Sequence, residues 1–285
     1  MQLKRAARRS TLHVLILLVW AAALAIGPAA TAEETEPVSP DADFTVREIT
    51  SALFKAKPGE RLDYSNHDLT YLDLADLDFK GASLAHSDLY GTDLTGANLK
   101  GTDLSHTRLN RSVLIRADLS GANLTGATIF RPTVYDDLSQ NLANAPHFSG
   151  ANMSGVRVMA NLSGADFRGA NMTGADFSPL ESRPGQGTIT SLMKNVLKSC
   201  DFSGAELKGV NFDRADLTFS RFVGANLSGA NLTKTDLSKV DLTGADLTGA
   251  DLTGADLYGA TLTGVKGLDT VKGLSTALNL DKATR

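Results

Sequence analysis

A five-residue period runs through most of the chain and leaves few folds open to it. Its clearest stretch reads Asp241-Leu242-Thr243-Gly244-Ala245, Asp246-Leu247-Thr248-Gly249-Ala250, Asp251-Leu252-Thr253-Gly254-Ala255. The large apolar residue is the centre of each unit. Asp or Asn precedes it, a small residue lies two before it, and Ser or Thr and then often Gly follow. Centres keep phase from Tyr64 through Leu69, Leu74 and Phe79 to Ile129. A second block holds Phe148, Met153, Val158, Leu162, Phe167, Met172 and Phe177, with a one-residue slip between Val158 and Leu162. A third runs from Leu192 to Leu262.

A period of five fits neither an α-helix nor an alternating strand. It does fit a closed coil of four short sides, with the centre and the small residue pointing inward and the other three outward. Successive coils then pair through the backbone at about 4.8 Å. The centres number 14, 7 and 15, which gives 36 sides and nine coils, a rod of roughly 43 Å at that spacing.

Residues 20 apart should stack. Tyr64, Leu84, Leu104 and Leu124 form one expected column, Leu197, Leu217, Leu237 and Leu257 another, and Phe202 meets Phe222. Each buried Leu or Phe contributes about 1.5–3 kcal/mol. Cys200 takes a small inward slot and reads as a packing residue. It is the sole cysteine, so no internal disulfide forms.

The run of Ala, Asp or Asn, Leu or Phe, Ser or Thr, Gly resembles the pentapeptide repeat family over about residues 62–264. The resemblance implies an all-β, right-handed quadrilateral β-helix solenoid. A tightly filled coil offers no pocket for a preorganised polar cluster, so a binding role in place of catalysis is expected, with no cofactor. Some cytoplasmic members of that family protect type II topoisomerases by resembling DNA in shape and charge. That is the alternative function if this chain stays in the cytoplasm.

Residues 1–32 read as a signal peptide. Lys4, Arg5, Arg8 and Arg9 precede an apolar run from Val14 to Ile26, and Ala30-Thr31-Ala32 fits a cleavage site before Glu33. The apolar run is short for a membrane span, so none should persist after cleavage. The expected compartment is periplasmic or extracellular. Taking four basic residues from the 28 leaves 24 against 32 acidic, a net charge of −8. With no dense basic run as well, nucleic acid is not the expected partner.

The remaining segments divide as a linker at 33–43, a capping helix at 44–61 and a C-terminal helical cap and tail at 265–285. Val46, Ile49, Leu53 and Phe54 carry helical spacing before Pro58-Gly59. Leu268, Val271, Leu274 and Leu278 recur at three or four residues. The first coil holds Leu62, His67, Leu72 and Leu77 at its small inward positions, bulk that suits an end coil under a helix.

Two stretches interrupt the repeat, 130–147 and 178–191. Loops on a rigid scaffold commonly carry binding residues, and Tyr and Arg recur at binding hot spots. Arg131, Tyr135, Arg183 and Pro184 are therefore the candidate contacts for a protein partner. No Ser or Cys falls in a nucleophile motif. His86 and His106 lie 20 apart beside Asn66 and form a candidate metal pair. Two ligands seldom hold a metal alone, so a metal- or cation-binding envelope protein is a further alternative. The recurring Asp columns read as a solvated face, because the calcium-binding nonapeptide pattern is absent.

Overall fold

The computed structural model of the protein describes residues 42–135, 141–179 and 194–285. Parallel one-residue bridges join positions 20 apart: Asp63 to Ser83 to Asp103 to Asn123, then on to Asn152, Asn171, Glu206, Asn226, Asp246 and Lys266. Parallel columns start at Asp68, Asp73 and Asp78. We number the four sides 1 to 4 by these starting residues. The coil is thus a four-sided parallel β-helix, and in its regular part each bridging residue is the one before a centre, most often Asp or Asn.

The columns explain the repeat position by position. Every described centre from Tyr64 to Leu262 is buried, and most Ala partners with them. Phe148, Phe167, Phe202 and Phe222 stack down side 4 at 5.1, 4.8 and 4.6 Å between rings. Several polar residues in the small inward slot donate to main-chain carbonyls: Ser87 to Tyr64 at 2.6 Å and Ser220 to Leu197 at 2.7 Å in the coil before, and Ser112 to Leu109 at 2.8 Å at its own corner. The bridging Asp or Asn accepts from the N–H two residues on, as Asp241 does from Thr243 at 3.0 Å, which holds the corner in a side-chain turn. The corner residue takes a left-handed conformation, as at Gly244 (φ 67°), hence the recurrent glycine.

Helix α1, Val46–Lys55, stands beside the first coil. Thr45 and Glu48 form a reciprocal capping box at its start. Ile49 and Leu53 are buried in the common core, and Phe44 meets Tyr64 edge-on at 5.4 Å. The enlarged residues Leu62, Leu72 and Leu77 pack half-buried against the same core.

Two features correct the sequence expectations. The 265–285 segment does not form an α-helical cap. Its bridges run Asp246 to Lys266, Asp251 to Lys272, Asp256 to Leu278 and Thr261 to Thr284, so each side gains one residue and becomes a hexad. Two 3-10 helices, Leu274–Thr276 and Leu280–Lys282, form corners. Each hexad presents two inward positions three apart, Leu268 with Val271, Leu274 with Ala277 and Leu280 with Ala283, and that spacing imitates helical periodicity.

The second feature is Val134, which is a buried centre of side 3, bridged at Thr133. The first interruption is therefore shorter than 130–147. Leu192, the expected first centre of the third block, lies outside the described residues.

Candidate interaction surface

The two interruptions leave the coil at opposite edges of one side. The first departs after Tyr135 on side 3 and returns at His147 on side 4. The second departs after Asp176 on side 2 and returns at Val196 on side 3. They lie two coils apart. Arg183 and Pro184 fall outside the described residues, so their expected contact role rests on the sequence.

Around these roots the regular bonding is replaced by side chains. In an ordinary corner the N–H of the small inward residue donates to the preceding centre, as Ala165 does to Leu162 at 3.0 Å. The slip after Val158 and the opening after Phe177 both abolish that bond. Fully buried Asn195 replaces it in both places. Its Nδ2 donates to the Val158 carbonyl at 3.0 Å and to Phe177 at 2.7 Å, and its Oδ1 accepts from the Ala160 N–H at 2.8 Å. One amide thus satisfies three buried backbone groups.

Neighbouring groups tie the roots further. Tyr135 is half-buried and its hydroxyl donates to the Ser163 carbonyl at 2.8 Å in the next coil. Burial raises its pKa. Leu142 packs over Gly164, where a Cβ would come within 2.9 Å of it. Asp216 is buried beside Lys194 at 3.2 Å and Lys198 at 3.3 Å. Burial opposes its ionisation, but the Thr218 hydroxyl and Lys194 outweigh that and hold the carboxyl below its usual range. Arg131 occupies an exposed left-handed corner (φ 52°) at the first root.

Elsewhere the expected positions are found as follows. His86 and His106 stack at 4.8 Å with 14° between their planes. Among the described residues no group of three or more His, Cys, Asp or Glu is placed to hold a metal, so the pair gains no further protein ligand of those types. Cys200 is buried, its thiol donates to the Leu162 carbonyl at 3.2 Å, and burial pushes its pKa up to about 12. Such a thiol is a packing group. Asn195 and Phe219 were missed in the sequence, although both are odd for their slots: an amide where Ala prevails, and an aromatic where Gly prevails.

The comparisons with known proteins agree with this geometry. A family model described as pentapeptide repeats matches in eight copies, over residues 68–101, 92–129, 159–178, 196–233 and 225–264. Among solved structures, the chain is similar to HetL, a pentapeptide repeat protein involved in heterocyst differentiation regulation from the cyanobacterium Nostoc sp. strain PCC 7120. Identity is 25%, covering 85% of this chain and 94% of HetL, with a TM-score of 0.39. It is similar also to full-length QnrB1, a plasmid-mediated fluoroquinolone resistance protein, at 15% identity over 76% of this chain and 92% of QnrB1, with a TM-score of 0.32. No curated protein sequence matches significantly.

Proposed function

The chain belongs to the pentapeptide repeat family, and from that we propose that it is an exported, non-catalytic scaffold presenting one side of a right-handed quadrilateral β-helix to a protein partner. The observation that carries this reading is the convergence of both loop roots on side 3, together with the side chains that replace regular bonding there. The other sides repeat the same small polar groups and offer a partner little that is unique. Nine coils of five-residue sides make the rod, with α1 covering one end and the hexad coil the other. Thr270 and Thr276 support the second closure: their hydroxyls accept from the Gly249 and Gly254 N–H groups at 2.9 and 3.3 Å. A filled apolar interior supports a binding role over catalysis.

Export rests on the order of basic, apolar and small residues in 1–32. No helix among the described residues is long and apolar enough to cross a membrane.

The test uses protein recovered from its native host, with an expected N-terminus at Glu33. Excising residues 180–189 removes two whole repeat lengths. The shortened protein should keep its melting temperature within a few degrees and lose at least tenfold in affinity for the partner captured with the intact chain. Full partner binding by the shortened protein would reject the loop reading. A retained Met1 would reject export.

A further inference from the structure

The outward face of α1 sets one aromatic ring among cations. Ile49 and Leu53 are turned into the core. The opposite face therefore carries Arg47, Ser51 and Phe54 at steps of four and three residues, with Lys55 alongside. Phe54 is 87% exposed, more than any other large apolar residue among those described. Lys57 and Arg61 follow, both exposed, where the chain leads from the helix into the first coil. Lys80 joins them from that coil: its ammonium donates to the Leu53 carbonyl at 2.7 Å and to the Ala56 carbonyl at 3.4 Å. Arg61 runs beside the same corner, where a Cβ on Gly81 would lie 3.8 Å from its Nε. Four cations thus surround the Phe54 end of the helix, and Arg47 stands two turns away on the same face. Among the described residues none of the five is in an ion pair. The carboxylates of the segment are each turned onto its own backbone. Asp43 accepts from the Asp68 N–H at 2.8 Å, Glu48 from the Thr45 N–H at 2.8 Å and Glu60 from the Lys57 N–H at 2.9 Å.

We propose that this face of α1 binds an anionic phospholipid membrane. Phe54 enters the boundary between headgroups and acyl chains, and the cations meet lipid phosphates. Clusters of about four to eight Lys or Arg on an amphipathic helix recognise anionic lipid, and an aromatic side chain suits the depth of that boundary. A protein interface fits less well, because its centre is depleted in Lys, and here Lys rings the one exposed apolar anchor of the helix. With a single anchor the attachment is reversible. Contact through α1 leaves side 3 uncovered. The proposal goes beyond the loop-directed protein interaction and does not depend on it.

Co-sedimentation of the mature chain, from Glu33, with lipid vesicles tests it. Vesicles of phosphatidylglycerol and phosphatidylcholine in equal parts should bind at least about tenfold more tightly than phosphatidylcholine alone. Phe54→Ser, and Lys55→Gln together with Lys57→Gln, should each weaken binding to the anionic vesicles about tenfold. These positions are exposed, so the melting temperature should stay within about 2 °C in each variant. Trp20 is the only tryptophan of the chain and falls within 1–32, so Phe54→Trp gives the mature chain a single indole. That variant should keep its affinity, and its emission should move to the blue on anionic vesicles as the ring leaves water. No preference for the anionic vesicles, binding unchanged by the Phe54 and Lys substitutions, or an indole emission that stays as in water would overturn the proposal. So would a soluble protein partner lost with those substitutions in the absence of any vesicle binding.

Discussion

Leu237→Asp is expected to lower the melting temperature by at least about 10 °C. Leu237 is 1% exposed, between Leu217 and Leu257 in a column of leucines. An ionised carboxylate there loses its hydration with no counter-charge, and a protonated one still buries two oxygens among methyl groups. A loss of about 4 kcal/mol or more places the change among the most damaging single substitutions. For a domain of this size each kcal/mol shifts the midpoint by about 2–4 °C. Because each coil of a solenoid touches only its neighbours, the damage should be local at first. Amide exchange should accelerate in residues 206–262 before it does so in 63–129. Val223→Asp, at an outward position after the centre Phe222, is the control and should shift the midpoint by no more than about 2 °C. An unchanged midpoint for Leu237→Asp would show that the inward assignment is wrong.

Asn195→Leu should be nearly as costly, although it places an apolar residue in an apolar interior. It removes the partners of the Val158 and Phe177 carbonyls and of the Ala160 N–H. Each buried group left unsatisfied costs about 1–3 kcal/mol. The midpoint should fall by about 6 °C or more, with the loss of exchange protection centred on residues 158–165 and 194–202. Leu at the equivalent inward slot of an uninterrupted coil, by Ala225→Leu, tests overpacking alone, which costs about 1–3 kcal/mol. If the Asn195→Leu pattern matches that of Ala225→Leu in size and spread, Asn195 is filling space and not replacing corner bonds.

The contrast between these residues shows what the sequence could reveal. A strict five-residue period announces its own structure, because each unit repeats the same inward, bridging and corner roles. The stacked columns, Cys200 and the His86–His106 pair were legible for that reason. The period becomes hard to read where its geometry continues without its usual residues. Val134 keeps phase with Ile129 and fills side 3, although Pro132 and Tyr135 stand where the repeat usually has a small residue and Ser or Thr. At the C-terminus, hexads place apolar residues three apart, and spacing alone does not separate that from a helix. The corner at which a loop leaves depends on how many sides precede it, so one misassigned side hides it. Asn195 depends on two irregular corners in successive coils meeting in space, which no local window contains.

Site-specific photo-crosslinking in the native host tests most directly whether side 3 is the recognition surface. Lys198 and Lys208 are both exposed residues that follow a centre, but Lys198 lies on the corner after side 3 and Lys208 on the opposite corner after side 1. A photoreactive residue at each position is compared at equal expression. The scaffold reading predicts one discrete crosslinked protein from position 198 and none above background from position 208. Equal crosslinking from both positions, or crosslinking from 208 alone, would contradict it.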